Sequence, residues 1–187
     1  MKIKQGKFKG VFEIQLEPFE DDRGFFMRAY DKKIFAENGI DNDWVQENHS
    51  LSKYKGTVRG LHFQYPPHTK SKLVRVSSGE VFFAFVDLRK KSPTLGEWGS
   101  VVLSTKKKNM FLIPRGFAAG MCALTDNCNF HYRVDNYYSK EKEDNIRWND
   151  PDIGIKWPIK KAKVISERDN KAQSFKEFLK NKGGLDI

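Results

Sequence analysis

The feature that most constrains this chain is a series of short apolar–polar alternations, closely spaced and separated by turn residues. A two-residue period sends successive side chains to opposite faces of an extended strand, so such a run buries one face and wets the other. Many in succession fit an antiparallel sandwich or barrel. VFEIQLEPF (11–19) alternates cleanly, and GFFMRAYD (24–31) follows the turn DDRG. WVQENHSLS (44–52) and TVRGLHFQ (57–64) flank a YKG turn. Three segments read as hairpins: 72–89 pivoting at Ser78-Gly79, 96–114 turning at Lys107–Asn109, and 120–134 turning at Thr125–Asn127. Helical signals are few. KIFAENGI (33–40) reads as a short helix stopped by Gly39, and Ser174 with Glu177 makes a capping-box pattern opening a last helix over about 174–182. The stretch 137–158 is polar and has no clear period. No internal repeat or linker is visible, so the expectation is one mainly β domain over 1–187 with a few short peripheral helices.

At 39% apolar residues with 15 phenylalanines, the chain can fill a core and reads as globular rather than disordered. No apolar run approaches the roughly 20 residues of a membrane helix. MKIKQGKFKG carries charge with no apolar segment behind it, so neither a membrane association nor a secretory signal is expected. Cys122 and Cys128 lie either side of LTDN. They could face each other across a hairpin, but the simpler reading is two reduced, buried thiols in a cytoplasmic protein. Lysine and arginine outnumber aspartate and glutamate 34 to 24, a net charge of +10. That balance suits an anionic partner, whether nucleic acid or a phosphate-bearing small molecule, and equally a lysine-rich wetted surface. The cations are scattered, with no basic helix and no aromatic RNA-binding motif, so nucleic acid is not expected.

TVRGLHFQYPPHTKSKLVRV (57–76) places one histidine in a strand-like run and a lysine ten residues on. His62 could be a packed core residue, a metal ligand or a catalytic base. A barrel of this size with a histidine on an inner strand suggests a cupin-type jelly roll, and many such barrels hold a metal. A metal needs three or four ligands converging at about 2 Å. The chain has only His49, His62, His68 and His131; none follows His62 at the second position, and FLIPRGFAAGM (111–121) has none, so no metal is expected. Alternation puts Arg59 and Leu61 on one face, and Gly60, His62 and Gln64 on the other. Lys72 opens the next run and can reach the same cavity. An unpaired buried ammonium is strongly unfavourable, so an inward Lys72 would call for an anionic ligand or intermediate.

Five stretches then carry a family resemblance: VQENHSLSKYKGTVRGLHFQ (45–64), SKLVRVSSGEVFFAFVDLRKKSPTLGEW (71–98), FLIPRGFAAG (111–120), YYSKEKEDNIRWNDPDIGIKWP (137–158) and ISERD (165–169). In order from about Gly10 to Asp169, they resemble the dTDP-4-dehydrorhamnose 3,5-epimerase family. The combination of RGLHFQ, IPRGFA and WNDPDIGIKWP makes the match specific. The resemblance implies a cupin-like jelly-roll barrel and a cytoplasmic homodimer without metal or cofactor. The implied substrate is a nucleotide-diphospho-4-keto-6-deoxyhexose, inverted at C3 and C5 through an enolate. It implies His62 as the base, Asp169 as the carboxylate that orients it, Lys72 as the cation at the enolate oxygen, and Tyr132 as the acid on the opposite face. Arg23 and Arg59 match positions that grip the diphosphate, Phe26, Gln46 and Asn48 positions around the nucleotide, and Tyr138 a position near the sugar or base. The N-terminal strands, within about 1–50, would serve the neighbouring subunit's site, so Arg23 would act across a dimer interface.

Two positions depart from the family pattern. Ala119 stands where IPxGFAHG has histidine, close to the sugar, and Arg28 stands where a glutamate usually lies by the nucleotide. The first bears on which carbon is inverted or which sugar fits. The second reverses the local charge and bears on which nucleotide binds. C3-only epimerisation, another nucleotide's sugar, and a binding-only barrel are the alternatives. His131 lies beside Tyr132 and by alternation faces away, so it is not expected to replace the missing imidazole.

Overall fold

The structure, a computed structural model, describes residues 1–187. The strands in chain order are β1 Lys2–Gln5, β2 Phe12–Gln15, β3 Phe19–Asp21, β4 Gly24–Phe26, β5 Gln46–Ser52, β6 Val58–Gln64, β7 Lys72–Ser78, β8 Glu80–Asp87, β9 Trp98–Ser104, β10 Asn109–Ile113, β11 Phe117–Ala123, β12 Cys128–Val134 and β13 Glu143–Asn145. The helices are α1 Lys32–Glu37, α2 Glu167–Asn170 and α3 Phe175–Lys182. One sheet runs β1-β2-β10-β7-β12-β5 and the other β13-β6-β11-β8-β9. From β5 to β12 the chain crosses between sheets at every step except β8 to β9, which is the jelly-roll order.

That crossing corrects the three hairpins read from the sequence. The chain does turn at Gly79 (φ 75°), Lys108 (φ 50°) and Asn127 (φ 52°). The flanking strands nevertheless join different sheets: β7 pairs with β10 and β12, whereas β8 pairs with β9 and β11. The true neighbouring ladder, β8 with β9, spans the longer connection instead. A tight turn reverses the chain whether the two strands then bond to each other or splay into separate layers.

Other boundaries move for local reasons. The run 11–19 breaks into β2 and β3 before Pro18, which has no N–H to give a ladder, is passed. The run 24–31 shortens to β4, and the polar KIKQ of β1 pairs as an edge strand that no pattern announced. Asp31 caps α1 by accepting from the Lys33 and Ile34 N–H groups. The capping box of α3 is present as read, with Ser174 and Glu177 exchanging bonds and Gly183 closing the helix in a left-handed conformation.

Between the sheets lies a core of phenylalanines, Phe83, Phe85, Phe111, Phe117 and Phe130 among them, with rings 5.2–6.4 Å apart. Fully burying each such side chain stabilises by about 1.5–3 kcal/mol. A second cluster, with Leu61 and Phe63, packs behind the five-stranded sheet against Phe175 and Phe178 of α3. Both cysteines are free and buried, and burial pushes the Cys122 thiol up to about 11. The hairpin β3–β4 stands apart as its own two-stranded sheet, with Phe19, Phe25 and Phe26 exposed at 74%, 57% and 67%. No helix is long and apolar enough to cross a membrane.

Candidate active site

The site begins with an irregularity in β6. Ala119 of β11 lies opposite His62 and Met121 lies opposite Arg59, so three steps on β6 match two on β11. The extra residue reverses the phase of the strand. Val58, Leu61 and Phe63 join the outer clusters, while Arg59, His62 and Gln64 line an inner cavity of about 450 Å³. This corrects the alternation that separated Arg59 from His62. The bulge needs glycine: Gly60 has φ +111°, and a Cβ there would meet Gly120 Cα at 2.6 Å and the Ala119 carbonyl oxygen at 2.7 Å.

Helix α2 delivers the partner of His62. Ser166 caps it by accepting from the Asp169 N–H at 3.0 Å, which turns the Asp169 side chain inward, where it is only 3% exposed. Asp169 Oδ1 accepts from His62 Nε2 at 2.6 Å and from Asn145 Nδ2 at 3.2 Å. Oδ2 accepts from the Gly60 N–H at 3.1 Å. Burial alone would raise the carboxyl's pKa, but the hydrogen bond and charge of His62, with the Gly60 N–H, outweigh it and hold the pKa below the usual value. With Nε2–H given to Asp169, Nδ1 carries the lone pair, and it has no partner within the protein.

The six-stranded sheet supplies the opposing wall. Lys72, the first residue of β7, is 9% exposed and its Nζ donates to the His62 carbonyl oxygen at 3.0 Å. Burial, and then the charge of Lys70, pushes its ammonium down to about 7, with Glu143 pulling the other way. Tyr132 of β12 lies opposite Asn48 and Val74 and lines the same cavity. Burial, then Glu143, raises its phenol pKa, so it stays protonated at neutral pH.

Gln46, Asn48, Arg59 and Tyr138 also line the cavity, as does Ala119. Gln46 Nε2 donates to Asn48 Oδ1 at 2.8 Å, and Gln46 Oε1 accepts from the Tyr138 N–H at 3.3 Å. Arg59 is held by the Leu51 carbonyl oxygen at 3.1 Å and Ser52 Oγ at 3.3 Å. Arg23, Phe26 and Arg28 are not brought there by their own chain. Arg23 forks onto Asp21, Phe26 lies on the exposed face of β4, and Arg28 pairs with Asp31 at 3.2 Å. His131 faces outward as alternation requires, stacked on His49 at 4.1 Å.

Gln64 lines the cavity beside His62, on the face the alternation gave it, whereas sequence reading missed Lys70 and Glu143, which line the cavity, and Asn145 and Arg168, which brace it. Glu143 accepts from Arg168 Nη1 at 2.5 Å and the Tyr138 hydroxyl at 2.8 Å. Those bonds outweigh burial and keep its pKa low. Glu143 and Asn145 belong to β13, which is too short to show a period and enters the site by pairing with β6. No three histidine, cysteine, aspartate or glutamate side chains converge as metal ligands would.

A family model described as dTDP-4-dehydrorhamnose 3,5-epimerase matches residues 5–177. The chain belongs to the dTDP-4-dehydrorhamnose 3,5-epimerase family. It is 43% identical over 176 residues to the dTDP-4-dehydrorhamnose 3,5-epimerase of Shigella flexneri, covering 94% of this chain and 96% of that one. It is 44% identical over 170 residues to that of Methanothermobacter thermautotrophicus, covering 90% and 91%. The dTDP-6-deoxy-D-glucose-3,5-epimerase of Legionella pneumophila, solved in complex with dTDP-4-keto-L-rhamnose, superposes with a TM-score of 0.92 at 36% identity, over 100% of this chain and 98% of that one. The Legionella pneumophila enzyme shares the jelly-roll barrel built here from β5 to β12.

Proposed function

We propose that this protein is an isomerase that inverts C3 and C5 of dTDP-4-dehydro-6-deoxy-D-glucose, giving dTDP-4-dehydro-L-rhamnose. The observation that carries the reading is that His62 and Tyr132 lie on opposing sheets of one cavity, with Lys72 hydrogen-bonded across it. Inverting a carbon requires a proton to leave one face and another to arrive on the opposite face. His62 Nδ1 takes the proton from carbon beside the C4 ketone, and the bond electrons move to the ketone oxygen as an enolate. Asp169 steadies the imidazolium that forms. The Lys72 ammonium stabilises the oxyanion, an interaction that can lower the barrier by about 3–4 kcal/mol. Tyr132 returns a proton from the far side, and the enolate collapses to the ketone. A general base or acid of this kind is worth about 10²–10⁴-fold.

The guanidinium of Arg59 on the cavity wall suits a diphosphate-bearing substrate. The protein works in the cytoplasm as a homodimer in this reading. The exposed Phe19, Phe25 and Phe26 of β3–β4 cover the partner, and Arg23, Phe26 and Arg28 reach the partner's cavity rather than their own. Incubation with the 4-keto sugar nucleotide in deuterated water tests the function. Deuterium at both C3 and C5 by NMR is the expected result. Label at C3 alone would mark a C3 epimerase, an outcome to which Ala119, in register with His62, draws attention. No label from folded protein would overturn the enzymatic reading.

A further inference from the structure

Three cations line the cavity, and two of them are tied to it: Arg59 to the Leu51 carbonyl oxygen and Ser52, Lys72 to the His62 carbonyl oxygen. Lys70 is different. It makes no hydrogen bond and no ion pair, and its ammonium stands 5.4 Å from the centre of the Tyr138 ring. The two carboxylates near enough to act on its charge are Glu143 and Asp135, and both are already occupied. Glu143 holds Arg168 and the Tyr138 hydroxyl. Asp135 accepts from the Ser71 N–H at 2.7 Å, Asn42 at 2.9 Å and Arg115 at 3.1 Å. A half-buried ammonium without a partner, on the wall of a substrate cavity, has a ligand's anion as its natural counter-charge. Lys70 and Lys72 line the same cavity, and the charge of Lys70 pushes Lys72 away from the charged form, after burial and against Glu143.

We infer that Lys70 contacts the diphosphate of the bound sugar nucleotide, and that its pairing there lets Lys72 carry the charge the enolate needs. This rests on the epimerase reading and adds a residue to it. In the free protein the two ammonium groups oppose each other. When a diphosphate neutralises Lys70, that opposition falls away and Lys72 takes up its proton as the ketone arrives above it. Substrate binding and oxyanion stabilisation are thereby coupled through a residue that does not touch the reacting carbons.

The test is steady-state kinetics of Lys70→Met and Lys70→Arg across the neutral pH range, with Lys70→Gln as a second uncharged variant. Both uncharged variants should raise KM about tenfold, the loss of one charge-assisted contact. Their kcat/KM should also hold to higher pH than in the wild type, because a cation beside Lys72 is gone. Lys70→Arg should restore KM and the wild-type profile. A KM within twofold of wild type in folded Lys70→Met, or a pH profile that stays where it was, overturns the inference. Calorimetric titration with dTDP separates this failure from that of the enzymatic reading. Weaker dTDP binding by Lys70→Met keeps the contact even if the wild type proves inert on the sugar, and equal binding removes it.

Discussion

Replacing Asp169 by asparagine probes the site with almost no change of shape. Asp169 accepts three hydrogen bonds, from His62 Nε2, Asn145 Nδ2 and the Gly60 N–H. An asparagine has one accepting oxygen. If that oxygen faces His62 and Asn145, its NH₂ meets the Gly60 N–H, donor against donor. If the amide flips, the NH₂ faces His62 Nε2, and the imidazole must move its proton to Nδ1, the atom that should hold the lone pair. One orientation leaves a buried donor unsatisfied, at a cost of about 1–3 kcal/mol in stability. The other removes the base. Both remove the negative charge that stabilises the imidazolium at 2.6 Å. The expected loss in turnover is about 10²–10⁴-fold, or roughly 3–5 kcal/mol of barrier. The assay is incorporation of deuterium at C3 and C5 in deuterated water, with thermal unfolding measured on the same sample. A folded Asp169→Asn variant exchanging within threefold of wild type would refute the argument that this carboxylate sets the tautomer and charge of His62.

Tyr132→Phe should still exchange deuterium, since the base is intact, while net inversion falls by about 10²–10⁴-fold; chiral analysis of the product checks it. Lys72→Met should abolish turnover yet raise the melting temperature of the ligand-free protein, because the buried ammonium is destabilising. The sign follows from proton binding. With the folded pKa lowered to about 7 against an ordinary 10.5, the unfolded chain holds more protons between those values, so this group's penalty shrinks as pH rises through that window. The melting-temperature gap between wild type and Lys72→Met should therefore narrow from neutral to alkaline pH. Gly60→Ala should fail to give folded protein or lose most of its stability, since its Cβ would press on backbone atoms at 2.6 and 2.7 Å; circular dichroism and solubility report it. On the proposed homodimer, Phe19→Glu with Phe25→Glu should give a monomer in sedimentation and raise KM, because Arg23 and Phe26 would no longer reach a partner's cavity.

Part of the site was legible because His62 and Lys72 are unusual residue types in strand-like runs, while Tyr132 and Asp169 came from the family resemblance. A lone histidine and a lysine entering a barrel interior each demand a reason, and Lys72 is indeed buried. The motifs RGLHFQ and SERD marked His62 and Asp169, residues whose side chains meet at 2.6 Å though 107 positions apart. Glu143 and Asn145 gave no comparable signal, because a three-residue strand has no period and their roles arise only from pairing with β6. Arg59 was assigned to the wrong face because alternation assumes an unbroken strand, and one extra residue at Gly60-Leu61 inverts it.

From the chain alone came the strand-rich architecture, the capped last helix and the residue types at the heart of the cavity. These are local matters, decided by a two-residue period, a capping pattern and the cost of burying charge. The partner of each strand was settled only in three dimensions. The turns at Gly79, Lys108 and Asn127 look like hairpins and instead pass the chain between layers, because pairing depends on which distant strand offers free N–H and C=O groups and an apolar face. It is that crossing, and not the turns themselves, that sets His62 and Tyr132 on facing walls of one cavity.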